Sequence, residues 1–177
     1  MHICSASRDG AEIFDKEMTE LRRMTAEDKP FVLEMMKKFY RSDAVMTNGS
    51  EEIFVNDIEE CISDSPFLEG FVFLDEDGEA KGYAMIAHSY STEFGRRCIW
   101  IEDIYIEKEL RGSGIASEFF AFLKAQYPNY VNRLEVEADN NRAIEVYRRN
   151  GFEEIPYHEM IRIVNTNEGE YLADKMP

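Results

Sequence analysis

The sequence predicts one α/β domain, and three observations carry that reading. Apolar residues keep a helical period between residues 25 and 65 and switch to strand-like runs from Phe71 onward. A nearly continuous apolar run, Ile99-Trp100-Ile101-Glu102-Asp103-Ile104-Tyr105-Ile106, leads into Arg111-Gly112-Ser113-Gly114-Ile115-Ala116 and then an amphipathic segment, as when a central strand turns directly into a helix. No internal repeat, low-complexity tract or linker divides the 177 residues, and 44% hydrophobic content suffices for one core.

Residues 1–17 show no period and are expected to form an N-terminal extension outside the fold, with the domain running over residues 18–177. The stretch from Met18 to Met24 reads as a strand. Thr25 stands three residues before Asp28, a variant capping box, and Phe31, Met35, Met36 and Phe39 keep helical spacing to about Arg41. Ser50 is suited to cap a second helix whose inner face is Ile53, Phe54, Ile58, Cys61 and Ile62 and which stops before Pro66. Phe71 to Leu74, the turn at Asp75-Glu76-Asp77-Gly78, and Lys81 to Tyr90 form a hairpin. Arg97 to Ile106 is the next strand. A helix follows from Ser113 to about Gln126, with Ile115, Phe119, Phe122 and Leu123 inward. Leu134, Val136 and Ala138 alternate with acids as one more strand. Asn141 to Arg149 is a helix closed by Gly151 as a C-terminal cap. Ile155 to Ile163 reads as a final strand pair broken near Pro156, and residues 164–177 are a polar tail.

Composition narrows the function. No apolar run is long enough to span a bilayer and no charged-then-apolar leader opens the chain, so a cytoplasmic protein is expected. Cys4, Cys61 and Cys98 are too far apart for a disulfide framework or a zinc site, and no metal is expected. Against 20 Lys and Arg stand 36 Asp and Glu, a formal charge of −16 that repels nucleic acid and anionic membranes. The same surface is compatible with a cationic substrate and with a merely solubilising role.

The stretch Arg111 to Ala116 carries the first chemistry. Its glycines remove the Cβ atoms that would hold a ligand off the backbone, and the free N–H groups of the new helix point into the same space. With the positive helix end behind them, they suit a phosphate or pyrophosphate. The stretch is neither a P-loop nor a dinucleotide fingerprint, and a tight turn that binds nothing has the same local sequence.

A second signature follows at a fixed distance: Asn140-x-Arg142-Ala143-x-x-x-Tyr147-x-x-x-Gly151-Phe152. The two in this order closely resemble the GNAT superfamily of acyl-CoA-dependent N-acetyltransferases, over about Thr19 to Ile163. The resemblance implies a mixed, mostly antiparallel sheet of about six to seven strands with about four flanking helices, its fourth and fifth strands splayed around acetyl-CoA. It implies that the backbone of Ile104, Tyr105 and Ile106 pairs with the pantetheine arm. The loop from Arg111, with amides from Gly112 through Ser113, Gly114, Ile115 and Ala116 to Ser117, is implied to hold the pyrophosphate, and Asn140 to contact the cofactor arm. Tyr147 matches the family's general acid, which gives the departing thiolate a proton; a phenol has a reference pKa of ~10. The helix stripe Ala143, Val146 and Tyr147 also reads as ordinary packing. A homodimer is a further expectation from the resemblance.

Glu102 and Asp103 interrupt the apolar strand, and unpartnered buried carboxylates are costly. A bulge that turns them to solvent, an internal salt bridge or a cationic ligand would each compensate. In a regular strand the two point to opposite faces, so they are expected to differ in role. Glu102 is the candidate base, acting through water on an acceptor ammonium, and Asp103 the candidate contact to that cation. The pair followed by Ile-Tyr-Ile is most like the diamine and polyamine acetyltransferases. The expected function is acetyl transfer to a small primary amine; a peptide acceptor or a non-catalytic acyl-CoA-binding module are the alternatives. His88 and His158 fall in no motif position and are expected to be surface or strand residues.

Overall fold

Five strands lie side by side in one sheet in the order of the chain: β1 (Glu20–Arg23), β2 (Leu68–Leu74), β3 (Ala80–Ser91), β4 (Arg96–Ile106) and β5 (Val131–Leu134). Neighbours are antiparallel from β1 to β4, and β5 runs parallel to β4. The helices are α1 (Lys29–Phe39), α2 (Glu51–Ile62), α3 (Ile115–Gln126) and α4 (Asn141–Arg149). The computed structural model of the chain describes residues 20–162, so the extension expected over residues 1–17 and the polar tail lie outside the described residues. No helix among them is long and apolar enough to cross a membrane.

Alternation along the strands sorts the core into two layers. Val72, Leu74, Tyr83 and Met85 face α1 and α2, burying Val32, Met36, Phe54 and Ile58. Phe71, Phe73, Ala84 and Ile86 face the other way, against Ile115, Phe119 and Leu123 of α3, with Val146 and Tyr147 of α4 at the margin. The period of two in a strand thus supplies both layers from one sheet.

The mixed, mostly antiparallel sheet and four helices expected from the sequence are present, with five strands rather than six to seven among the described residues. One strand is displaced and, among the described residues, the final pair is missing. The fifth strand is Val131–Leu134, not Leu134 to Ala138, because its partner β4 turns away beyond Leu134. No strand forms between Ile155 and Arg162: Pro156 has no N–H to donate, and Tyr157 and Met160 stand 63% and 93% exposed. Apolar alternation there copied a strand period without a partner strand.

Local signals fared better. Asp28 accepts bonds from the Thr25 N–H at 2.8 Å and hydroxyl at 2.9 Å, closing a 3-10 turn over Ala26–Asp28 before α1 begins. That later start turns Phe31 outward, to 60% exposure, and puts Val32 in the core instead. Ser50 caps α2 through the Ile53 N–H. Asp75 accepts from the amides of Asp77 and Glu79 in the β2–β3 turn, with Gly78 at φ 78°.

Gly82 of β3 lies where β3 passes closest to the end of β4. A Cβ there would meet the Tyr105 carbonyl oxygen at 2.5 Å and the Phe73 ring at 2.7 Å. The backbone oxygen cannot withdraw without breaking the ladder, so Gly82→Ala is expected to cost about 1–3 kcal/mol of stability, read as a lower midpoint in urea.

Candidate active site

The site begins with one extra residue in β4. Met85 pairs with Asp103 and Ile86 with Ile101, so Glu102 has no partner on β3 and forms a β-bulge. The bulge reverses which residues face which layer. Before it, Ile99 and Ile101 face α3; after it, Ile104 and Ile106 do, while Asp103 and Tyr105 turn toward α1 and α2.

At the same point β4 and β5 part. Their parallel pairing ends at Ile101 with Leu134. Ile104, Tyr105 and Ile106 pair with Ala84, Tyr83 and Gly82 of β3, and among the described residues no strand pairs with them on the other side. A cleft of about 2520 Å³ opens there.

One wall of the cleft is the start of α3. Gly112 and Gly114 have φ of 97° and 99°, a left-handed backbone that few other residues adopt. Gly114 is the N-cap and has no side chain to bond the first turn. Among the described residues nothing accepts from the backbone N–H of Gly112, Gly114, Ile115, Ala116 or Ser117. These amides, and the positive end of α3, are available to an anion. A Cβ on Gly112 would meet nothing within 4 Å, so that face of the loop is open. Ser113 turns its hydroxyl back to the Leu110 carbonyl at 2.7 Å. The Ser117 hydroxyl accepts from Asn150 at 3.1 Å. Arg111 donates through Nε to the Ile106 carbonyl at 2.7 Å and lies 5.6 Å from the Tyr105 ring centroid.

The opposite wall is α4. Asn140 caps it, its side chain accepting from the Ala143 N–H at 3.2 Å. At its other end Gly151 has φ 87°, and the Phe152 N–H returns to the Tyr147 carbonyl at 3.1 Å. This Schellman closure folds the Phe152 ring onto Tyr147, 6.0 Å between centroids, with Phe120 of α3 at 5.9 Å on the same tyrosine. Tyr147 lines the cleft, and its hydroxyl has no hydrogen-bond partner among the described residues. Burial pushes its phenol above the ordinary value, so it is protonated at neutral pH.

Carboxylates gather at the outer end. Glu102 is exposed on the cleft, and partial desolvation followed by the charges of Glu159 and Asp57 raises its carboxyl. Glu135, the residue after β5, shares a hydrogen bond with Glu159, which together with desolvation and the charge of Glu159 raises it to about 7. Arg133 stands beside them with its guanidinium 4.7 Å from the Trp100 ring centroid. Sequence reasoning missed Glu135 and Glu159. Glu102 and Glu135 each directly follow the last residue of the parallel pairing, Ile101 and Leu134, a relation that exists only once the strands are paired.

Asp103 departs from its expected place. It is 4% exposed, does not line the cleft, and accepts from the hydroxyls of Tyr40 at 3.1 Å and Tyr83 at 2.9 Å. Of the compensations open to the acidic pair, a bulge serves Glu102 and neutral hydroxyl donors serve Asp103. Asp103 is thus held in the core by tyrosine hydroxyls and not presented to the cleft, where a contact to an acceptor cation was expected. Tyr105 is buried on the α1–α2 side and donates its hydroxyl to Glu107 at 2.9 Å. His88 pairs with Glu69 at 2.9 Å outside the cleft, whereas His158 lines its outer end. Among the described residues no group of His, Cys, Asp and Glu is arranged to hold a metal ion.

A family model described as acetyltransferase (GNAT) family matches residues 31–152. The chain belongs to the GNAT acetyltransferase family. No curated protein matches it significantly in sequence. Among solved structures, a possible acetyltransferase from Clostridium difficile 630 superposes with a TM-score of 0.71 at 19% identity, covering 85% of this chain and 100% of the other. The aminoglycoside N-acetyltransferase AAC(6')-Iy, in complex with a CoA–acetylneamine bisubstrate analogue, gives 0.68 at 18% identity, covering 84% and 99%. A predicted acetyltransferase from Clostridium acetobutylicum with acetyl-CoA gives 0.67 at 17% identity, covering 82% and 96%. At these identities the likeness is one of fold. The GNAT fold thus places both signature stretches of this chain on facing walls of one cleft.

Burial raises the Asp103 carboxyl from 3.8 to about 6, the two tyrosine bonds pulling it back only in part. A carboxyl raised in the folded state favours folding below its unfolded pKa and loses that contribution as the pH rises. The stability of Asp103→Asn relative to the parent is therefore expected to climb as pH rises from 3.8 to about 6 and to level off above, read from paired denaturant titrations.

Proposed function

We propose that the chain transfers an acetyl group from acetyl-CoA to the primary amine of a small cationic acceptor of the diamine or polyamine kind. One observation carries this reading. The uncapped start of α3, an unpaired phenol at Tyr147 and three carboxylates line a single cleft where β4 and β5 part. The complexes of structural relatives with CoA and with a cationic aminoglycoside analogue support it.

The chain's own groups divide the work. The amides from Gly112 to Ser117 fit a pyrophosphate, since they are unbonded apart from that of Ser113 and Gly112 leaves their approach open. The strand edge from Ile104 to Ile106 is free of a partner strand, as an extended pantetheine arm requires, with Arg111 holding the last carbonyl. When bound, acetyl-CoA supplies an activated thioester carbonyl and a thiolate leaving group. Tyr147 gives a proton to that sulfur as the amine attacks; its raised pKa keeps the proton in place until then. Asn140 serves the site by fixing the start of α4, and its amide N–H remains for the cofactor arm.

Glu102, Glu135 and Glu159 receive the acceptor. They attract a cation, yet each charge also holds the ammonium proton more tightly, and attack needs the free amine. Glu102 resolves this as the base, taking the proton through water from an acceptor held by its neighbours.

CoA release from acetyl-CoA across diamines, polyamines, amino acids, aminoglycosides and lysine peptides tests the reading. Diamines or polyamines are expected to turn over best. Tyr147→Phe and Glu102→Gln are expected to lower kcat by about 10²–10⁴-fold each without weakening CoA binding by calorimetry. Preference for peptides would replace the acceptor class, and CoA binding without turnover on any amine would leave a binding module. The acidic end adds a pH signature. As pH falls through about 7 Glu135 takes up a proton, so KM for a cationic amine is expected to rise. Glu135→Gln should flatten that rise.

A further inference from the structure

Asp103 lies outside the cleft yet ties together three elements that shape it. Its Oδ1 accepts from Tyr40, at the end of α1, and its Oδ2 from Tyr83 of β3. Tyr83 is fully buried, and Tyr40 is wedged against Phe54 of α2 with centroids 4.8 Å apart. No cation pairs with Asp103 among the described residues; the other groups that face it are Asp57 and Cys61 of α2 and Glu102 beside it, with Tyr105 stacked on Tyr83. The hydroxyls are therefore its entire compensation for burial.

That demand bears on the register. Asp103 reaches the tyrosine side of the sheet only because Glu102 is an extra residue in β4. Without the bulge its carboxylate would face Ile99, Ile101 and Phe119, where burial of a charge goes unanswered. The same extra residue sends Glu102 onto the cleft and coincides with the end of β4–β5 pairing.

We propose that Asp103 is a positioning residue: its bonds to Tyr40 and Tyr83 pin the bulge that delivers Glu102 to the acceptor end of the cleft. The proposal rests on the acceptor reading above, because it acts through Glu102.

Steady-state kinetics with acetyl-CoA and the best amine test it, beside hydrogen exchange of β4. Tyr40→Phe keeps its ring packed and loses one donor; it is expected to lower kcat roughly tenfold with KM for acetyl-CoA unchanged. In a Glu102→Gln background the same substitution is expected to cost little. Asp103→Asn can still exchange bonds with both hydroxyls and is expected to keep most of the rate, whereas Asp103→Leu is not. Parent-like kcat in both Tyr40→Phe and Asp103→Leu overturns the proposal, as does an undiminished loss in the Glu102→Gln background. If the parent protein acetylates no amine, the acceptor reading fails and hydrogen exchange decides alone. Amides of residues 100–106 in Asp103→Leu should then exchange roughly tenfold faster or more, with β1 and β2 unchanged. Equal exchange overturns the proposal.

Discussion

A carboxylate with no cationic partner has to be buried where hydroxyls can reach it, and in this chain that requirement decides where the sheet opens. Asp103 finds its donors only on the α1–α2 side, between Tyr40 and Tyr83. To bring it there β4 must gain one residue, and a strand with one extra residue bends and ceases to track its neighbour. The parallel ladder to β5 ends at Ile101 and Leu134, directly before the extra residue. Cleft, bulge and buried carboxylate are thus one feature seen at three levels: an opening in the sheet, a slip in register and a polar group in need of partners.

The facing wall depends on backbone conformation in the same way. Gly151 in the left-handed region lets the chain reverse within one residue, which lays Phe152 on Tyr147 from below while Phe120 holds it from α3. A glycine and a phenylalanine therefore fix the ring of Tyr147, the residue proposed to give up a proton. The helix stripe describes how Tyr147 packs, and the motif describes where its hydroxyl is presented. Its ring is core, and its hydroxyl meets the cleft.

Much of this was legible in the residues. Helices announced themselves through caps, Ser50 accepting from the first turn of α2 and Gly151 closing α4, whereas the capping bond of Asn140 emerged only from the structure. The loop at Gly112 and Gly114 was readable because only a turn needing positive φ repays two glycines there. Strand ends were not legible. Leu134, Val136 and Ala138 alternate faultlessly, yet pairing is a property of two strands, and β4 had already left. Ile155 and Tyr157 failed for the same reason, alternating with no strand to meet. The fates of Glu102 and Asp103 were only half readable. Their opposite orientations follow from the strand period, but which one is buried depends on hydroxyls 63 and 20 residues away in sequence.

The acidic end shows why the distribution of charge matters more than its total. A formal charge of −16 spread over a surface says little about a substrate. Three carboxylates drawn from β4, the end of β5 and the segment after α4 say more, because burial and like charges brought together raise Glu102 and Glu135. Glu135 relieves that repulsion by keeping its proton to a higher pH than an ordinary glutamate, and the charge of Arg133, over Trp100, offsets part of the remainder. An arriving cation relieves it more fully, so the site gains electrostatic energy that an isolated carboxylate could not supply. The same gain works against deprotonating that cation. In the proposed reaction a base at the rim of the cluster, exposed to water as Glu102 is, removes the proton while Glu135 and Glu159 behind it keep hold of the acceptor.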